Sequence, residues 1–275
     1  MVDVLTVLLI SILAGLLGSL VGLGGSVITT PALVALGVPV KYAIAAAMVT
    51  IIATSSGSAS SYVKEKIVNV KAAMYLEIFT IVGAIAGASV TSVVPVKLLY
   101  FFFAAFLLTS FIGIGRLGRD EVQSAVNQDR LARWLELEGS YHDKSLSKDV
   151  NYKLTRPALG GAGMFVAGIA AGMLGIGAGA FKVSVHELIL RMPPKVSATT
   201  SSFIIGMTAL AGASVYFFSG LLYLDLAAPM MIGTTLGALV GGRSLNRIRS
   251  STLRRLFLGV VLVVMIEMLY KGMTA

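Results

Sequence analysis

The sequence predicts an all-α, polytopic integral membrane protein built from two inverted-topology repeats, each a glycine-broken helical hairpin followed by three transmembrane helices. Hydrophobic residues make up 56% of the 275 and charged residues only 13%, too little polar inventory to cover a water-soluble surface. The chain also states one pattern twice. Gly22-Leu23-Gly24-Gly25, Pro39-Val40-Lys41, Ser60-Ser61-Tyr62, Gly83-Ala84 and Gly87 return as Gly175-Ile176-Gly177-Ala178-Gly179, Pro193-Pro194-Lys195, Ser214-Val215-Tyr216, Gly237-Ala238 and Gly241, with a constant offset of 154 from Pro39 and Pro193 onward. The third observation is that basic residues fall at opposite ends of the two copies. A duplicated, glycine-interrupted apolar bundle is the pattern of a secondary transporter.

The elements follow in order. Val2 to Val21 is apolar, has Asp3 and no Lys or Arg before it, and runs straight into the repeat, so it reads as part of the mature fold and not as a signal peptide. Lys41 to Val63, Ala72 to Val94 and Leu98 to Ile114 complete the first copy. Pro157 to Leu174, Val196 to Phe218, Leu222 to Val240 and Leu256 to Leu269 form the second. Each is long enough, or nearly so, to span a bilayer core of roughly 30 Å at about 1.5 Å per residue. Helices are the practical solution there, because no water satisfies backbone groups at that depth. The expected domains are residues 1–115 (first repeat), 116–156 (cytoplasmic insert) and 157–275 (second repeat).

Charge sets the orientation. The first copy carries Lys64, Lys66 and Lys71 in a loop whose counterpart near Gly220 has no basic residue. One loop later the first copy has only Lys97, where the second has Arg243, Arg247, Arg249, Arg254 and Arg255. Under the positive-inside rule, equivalent loops then lie on opposite sides of the membrane. Each copy must cross an odd number of times, and three long helices already do so. The opening segments, Val2 to Leu36 and Pro157 to Arg191, must therefore enter and leave on one side, as hairpins turning at the glycine clusters. This arrangement places 18 of the 22 Lys and Arg residues inside and both termini outside. The net charge of +9 reports cytoplasmic loops and not nucleic-acid binding.

From Arg116 to Arg156 the composition turns polar and includes the only tryptophan. Val122, Val126, Leu131, Trp134 and Leu135 have approximate helical spacing, which suggests a short amphipathic helix. Gly139 to Asp143 and Asp149 to Leu154 suit a small β-hairpin, a marginal element on its own. The plain reading is a linker required by duplication; the other is a regulatory or docking segment.

Three groups of residues are candidates for chemistry. Gly22, Gly24, Gly25, Gly175, Gly177 and Gly179 permit sharp turns and leave bare N–H groups at the starts of the following arms, near Ser26 and Ala180, where helix dipoles favour an anion. Close helix packing is the plainer role of a membrane glycine. Thr50, Ser55, Thr200 and Ser201 head hydroxyl runs in equivalent places and suit reversible coordination of an oxyanion; bonding to their own helix carbonyls is the alternative. Lys182 is an intramembrane cation for an anion site, with snorkelling to the interface as its alternative, and Glu77 and His186 are candidates for proton coupling. The absence of cysteine removes disulfides and thiolate metal sites, and no P-loop or nucleophile–base set is present. Two histidines 44 residues apart are a poor metal site. No cofactor, no metal and no enzymatic activity are expected.

With those residues in view, the chain resembles the TauE/SafE family of sulfite and organosulfonate exporters. The resemblance rests on Gly18 to Gly25, Thr30-Pro31, Gly37-Val38-Pro39 and the Ala/Ser/Thr-rich helix after it, then the second Gly-x-Gly-x-Gly and Pro194 to Thr199. It implies transport of small sulfur-containing or carboxylated anions across the cell membrane without ATP. The sequence departs from a strict repeat where Gly25 aligns with Ala178 and where Lys182 replaces Ile28 or Thr29, so the site is expected to be asymmetric. The expected partners are a small anion and the lipid bilayer, with no nucleic acid and with homo-oligomer formation open. A passive anion channel and a receptor acting through residues 116–156 are the competing classes.

Overall fold

The computed structural model describes residues 4–21, 25–91, 93–115, 127–144, 147–245, 248 and 250–274. The first copy holds α1 (Val4–Val21), α2 (Ser26–Ala35), α3 (Val40–Lys64), α4 (Val70–Thr91) and α5 (Val96–Gly115). Between the copies lie α6 (Arg130–Trp134) and the antiparallel strands β1 (Glu138–Asp143) and β2 (Lys148–Lys153). The second copy holds α7 (Pro157–Leu174), α8 (Gly179–Leu188), α9 (Pro194–Phe218), α10 (Leu224–Leu245) and α11 (Ser250–Thr274). Among the described residues, α3, α4, α7, α9 and α10 are long and apolar enough to cross a membrane.

The two copies are interwoven. Helix α1 packs on α10 of the other copy, and α7 packs on α4, each along a glycine seam. A methyl group at Gly237 would fall 2.0 Å from the Ile12 carbonyl oxygen, and one at Gly87 would fall 2.1 Å from that of Ile169. Lipid provides no hydrophobic drive between helices, so backbone approach through small residues is what holds such a pair together. Contacts advance in step along both seams: Gly233 meets Leu8, Gly237 meets Ile12 and Gly241 meets Leu16, as Gly83 meets Phe165 and Gly87 meets Ile169. Within each pair the helices therefore run parallel. Helices α3 and α9 cross at the centre, and α5 pairs with α11. The correspondence extends to single hydrogen bonds: Tyr62 donates to the Ser19 carbonyl at 2.6 Å, and Tyr216 donates to the Gly172 carbonyl at 2.6 Å.

The second hairpin is antiparallel. Gly160 and Gly163, early in α7, lie against Leu190 and Val185 at the far end of α8, and Thr155 N–H donates to the Leu190 carbonyl at 3.2 Å. Both its ends thus lie at the same level. In the inter-repeat segment, β1 and β2 form the hairpin expected from Gly139 to Asp143 and Asp149 to Leu154, in register Gly139 with Tyr152 and Tyr141 with Val150. It gains the stability it lacks alone by packing Leu137, Tyr141, Tyr152 and Leu154 against Ile67, Ala72, Met192 and Val196. The amphipathic helix is described only from Arg130, as one short turn capped by the Asp129 carboxylate on Ala132 N–H. Trp134 is exposed, so it does not share an apolar face with the core; Val122 and Val126 lie outside the described residues.

Candidate functional site

Both half-helices begin the same way. Gly25 precedes α2 with φ 76° and Ala178 precedes α8 with φ 51°, both left-handed, and neither terminus has a side-chain cap. Ala178 thus adopts the conformation of Gly25, although it carries a Cβ that makes this region costly by about 1–2 kcal/mol. First-turn N–H groups without a side-chain partner, at the positive end of a helix dipole, favour a negatively charged ligand. Gly175 sits against the Ile44 carbonyl of α3, and Gly177 sits between Ile205 of α9 and Ile51 of α3, which puts the second tip at the central crossing. Gly179 opens α8 itself. Gly22 and Gly24 lie outside the described residues.

Lys182 is fully buried, and its Nζ donates to Thr208 Oγ1 at 2.9 Å. It does not snorkel. Thr208 Oγ1 lies 3.1 Å from Thr80 Oγ1, and Thr80 in turn donates to the Glu77 carbonyl at 2.9 Å. A polar line thus runs from α8 through α9 into α4. The Glu77 carboxylate lies within the electrostatic reach of Lys182 without closing to an ion pair, and Glu77 Oε1 is buried with no hydrogen-bond partner. His186 is one turn beyond Lys182 on α8; its Nδ1 faces the Ser197 carbonyl at 3.4 Å and its Nε2 is buried and unpartnered. Orphaned buried polar atoms are expensive, and native proteins keep few of them. Two of them, on Glu77 and His186, belong to the ionisable groups nearest Lys182, where a polar ligand would find partners.

The hydroxyl candidates divide. Ser55 donates across the α3–α9 crossing to the Ser202 carbonyl at 2.6 Å, so it joins the copies beside this region. Thr50 bonds back to the Ala47 carbonyl at 2.7 Å, the within-helix role. Thr200 accepts from Asn69 N–H at 3.2 Å and thereby fastens the α3–α4 loop. Ser201 is buried in α9. Thr208 belongs to the hydroxyl run of the second copy, whereas Thr80 is the participant that residue type alone did not single out; it is an isolated hydroxyl in an apolar helix, and only its packing against α9 reveals it. Ser26, Thr29 and Thr30 on α2 also carry buried, unpartnered hydroxyls. Thr29 stands three residues into α2 as Lys182 does in α8, so the first half of the bundle is neutral where the second is charged. Among the described residues, no group of three His, Cys, Asp or Glu is placed to hold a metal.

The chain is 24% identical over 271 residues to the probable membrane transporter protein YunE of Bacillus subtilis (strain 168), covering 96% of each chain. It is 25% identical over 242 residues to the probable membrane transporter protein YdhB of the same organism, covering 87% of this chain and 89% of that one. No solved structure matches significantly. The sulfite exporter TauE/SafE family model matches residues 7–268. A duplicated bundle of apolar helices around a buried lysine, matched end to end by that family, makes this chain a multi-pass membrane transporter that belongs to the sulfite exporter TauE/SafE family.

Proposed function

We propose that the protein is a secondary carrier that moves a small sulfur oxyanion, sulfite or an organosulfonate, across the cell membrane by alternating access coupled to protons. The observation that carries this reading is Lys182: a cation buried at the hairpin arm, held by one hydroxyl and flanked by Glu77 and His186, each with a buried, unpartnered polar atom. An intramembrane charge is costly and is kept where it meets a substrate or ion. An oxyanion offers acceptors to Lys182, to the Thr208 hydroxyl beside it and to the bare first-turn N–H groups of α8. Glu77 and His186 give the site groups able to take a proton, which a passive channel has no need of.

The inverted arrangement of the repeats belongs to this proposal and has independent support. The α7–α8 hairpin returns to its starting side, α7 runs parallel to α4, and α1 runs parallel to α10. If α1 and α2 return likewise, three spanning helices follow each hairpin and the second copy starts on the opposite side from the first. The pair related in this way brings two half-helices toward one central site, the arrangement that alternating access exploits. Counterflow separates a carrier from a channel. Proteoliposomes preloaded with unlabelled sulfite are expected to accumulate labelled sulfite transiently above equilibrium; simple relaxation to equilibrium would reject the carrier.

A further inference from the structure

The segment between the repeats takes no part in the transport reading, yet it is tied into both copies at one end of the bundle. On the side of the first copy, Asn69 at the α3–α4 joint donates from Nδ2 to Tyr152 Oη at 3.3 Å, and Ile67 lies beneath Tyr141, Tyr152 and Leu137. On the side of the second copy, Met192 and Val196 join the same apolar cluster, and Lys195 Nζ meets Asp143 Oδ1 at 2.6 Å. The two side chains of that ion pair are 0% and 2% exposed. Lys41 occupies the matching second position of α3, where no hairpin covers it, and remains partly exposed. Lys195 is thus fully buried where its counterpart is not, and the described contact that distinguishes it is the ion pair with Asp143 of β1.

Resting on the carrier reading above, we propose that the β1–β2 hairpin is a releasable strap that closes this end of the transporter and must lift for substrate to pass. Its place on both copies is what a rocking or gating motion between them would strain. Its attachments are of two kinds. At the rim, Lys144 with Glu65 at 2.6 Å and Lys71 with Glu136 are solvent-facing pairs, weak and easily exchanged for water. At the centre, Asp143 and Lys195 are dry, so losing one partner is costly while hydrating both together is not. A latch with that profile opens as a unit and recloses in one register. Opening reaches the site along α9: Lys195 stands two residues before Ser197, whose carbonyl faces His186, and Thr199 and Thr200 hold the Ile67 carbonyl and Asn69 N–H of the joint beneath the strap.

The chain has no cysteine, so single thiols report without background. Ser202→Cys in the full-length protein is to be labelled with a membrane-impermeant maleimide in three backgrounds: otherwise unchanged, Asp143→Asn, and the charge-exchanged pair Asp143→Lys with Lys195→Asp. We expect slow labelling, faster labelling, and a return to slow labelling; equal rates in all three would overturn the strap. In parallel, Asp143→Cys and Lys195→Cys are to be joined by a short reducible thiol cross-linker and assayed for sulfite exchange. Loss of exchange that reductant restores supports release, and undiminished exchange while joined overturns it with the carrier reading intact. A cysteine-free parent that exchanges no sulfite, with labelling still responsive to Asp143→Asn, would overturn the carrier reading and keep the strap.

Discussion

Lys182 shows how a few substitutions between the matching copies concentrate chemistry on one side. Its counterpart in α2 is Thr29, the counterpart of Glu77 is Met231, and that of His186 is Leu33, so the ionisable groups gather around α8 alone. On the proposed carrier reading, Glu77 would alternate between offsetting the Lys182 charge when the site is empty and accepting a proton when an anion occupies it. Glu77→Gln keeps the shape and removes both roles. We expect sulfite exchange at equal pH on the two sides to persist in this variant, while uptake driven by an imposed pH gradient falls to the undriven rate; an unchanged response to the gradient would remove Glu77 from coupling. Outside the membrane, the Glu136 carboxyl is held below the ordinary carboxylate range by its hydrogen bond from Lys71, and burial raises the Tyr152 phenol against the opposing bond to Asn69. Both mark contacts of the strap with the α3–α4 joint.

Helix seams are where the elements are most sensitive. A Cβ at Gly237 would press on the Ile12 carbonyl, whereas Gly259 on α11 has open space. Gly237→Ala is expected to lower the thermal unfolding temperature in detergent, at the overpacking cost of about 1–3 kcal/mol, and Gly259→Ala to leave it unchanged or raise it slightly; equal effects would refute the seam. Much at this scale was legible in the sequence, because span length, glycine punctuation and the constant offset are local signals. The observed α2 starts at Ser26 as expected, and the β-hairpin follows the segments proposed for it. What was not legible depends on partners distant in sequence. Lys195 read as one more cytoplasmic charge, and its burial comes from Asp143 on a separate element. Thr200 is a candidate ligand by residue type, and the bond its hydroxyl accepts from Asn69 N–H was not legible. Trp134 read as apolar-face material and projects into solvent.

Across the whole molecule, the swap of α1 onto α10 and of α7 onto α4 means that neither copy folds around its own hairpin alone. Coupling between the two halves is thereby built into the packing, and the strap adds a second tie at one end. The proposed inverted arrangement predicts sidedness. Single cysteines introduced in the 64–71 loop, in residues 116–126 and in the 246–249 loop are expected to label from the cytoplasmic side, and one at Gly220 from the outside; labelling of the 64–71 and 246–249 loops from opposite sides would contradict the inverted repeats. The central claim remains that a buried lysine receives the anion. It is tested most directly by pH-driven uptake of labelled sulfite into proteoliposomes, wild type against Lys182→Ala. A lost charge-assisted hydrogen bond of about 1.5–3 kcal/mol predicts saturable uptake weakened by roughly 10- to 150-fold in apparent affinity. Uptake unchanged by Lys182→Ala would contradict the account.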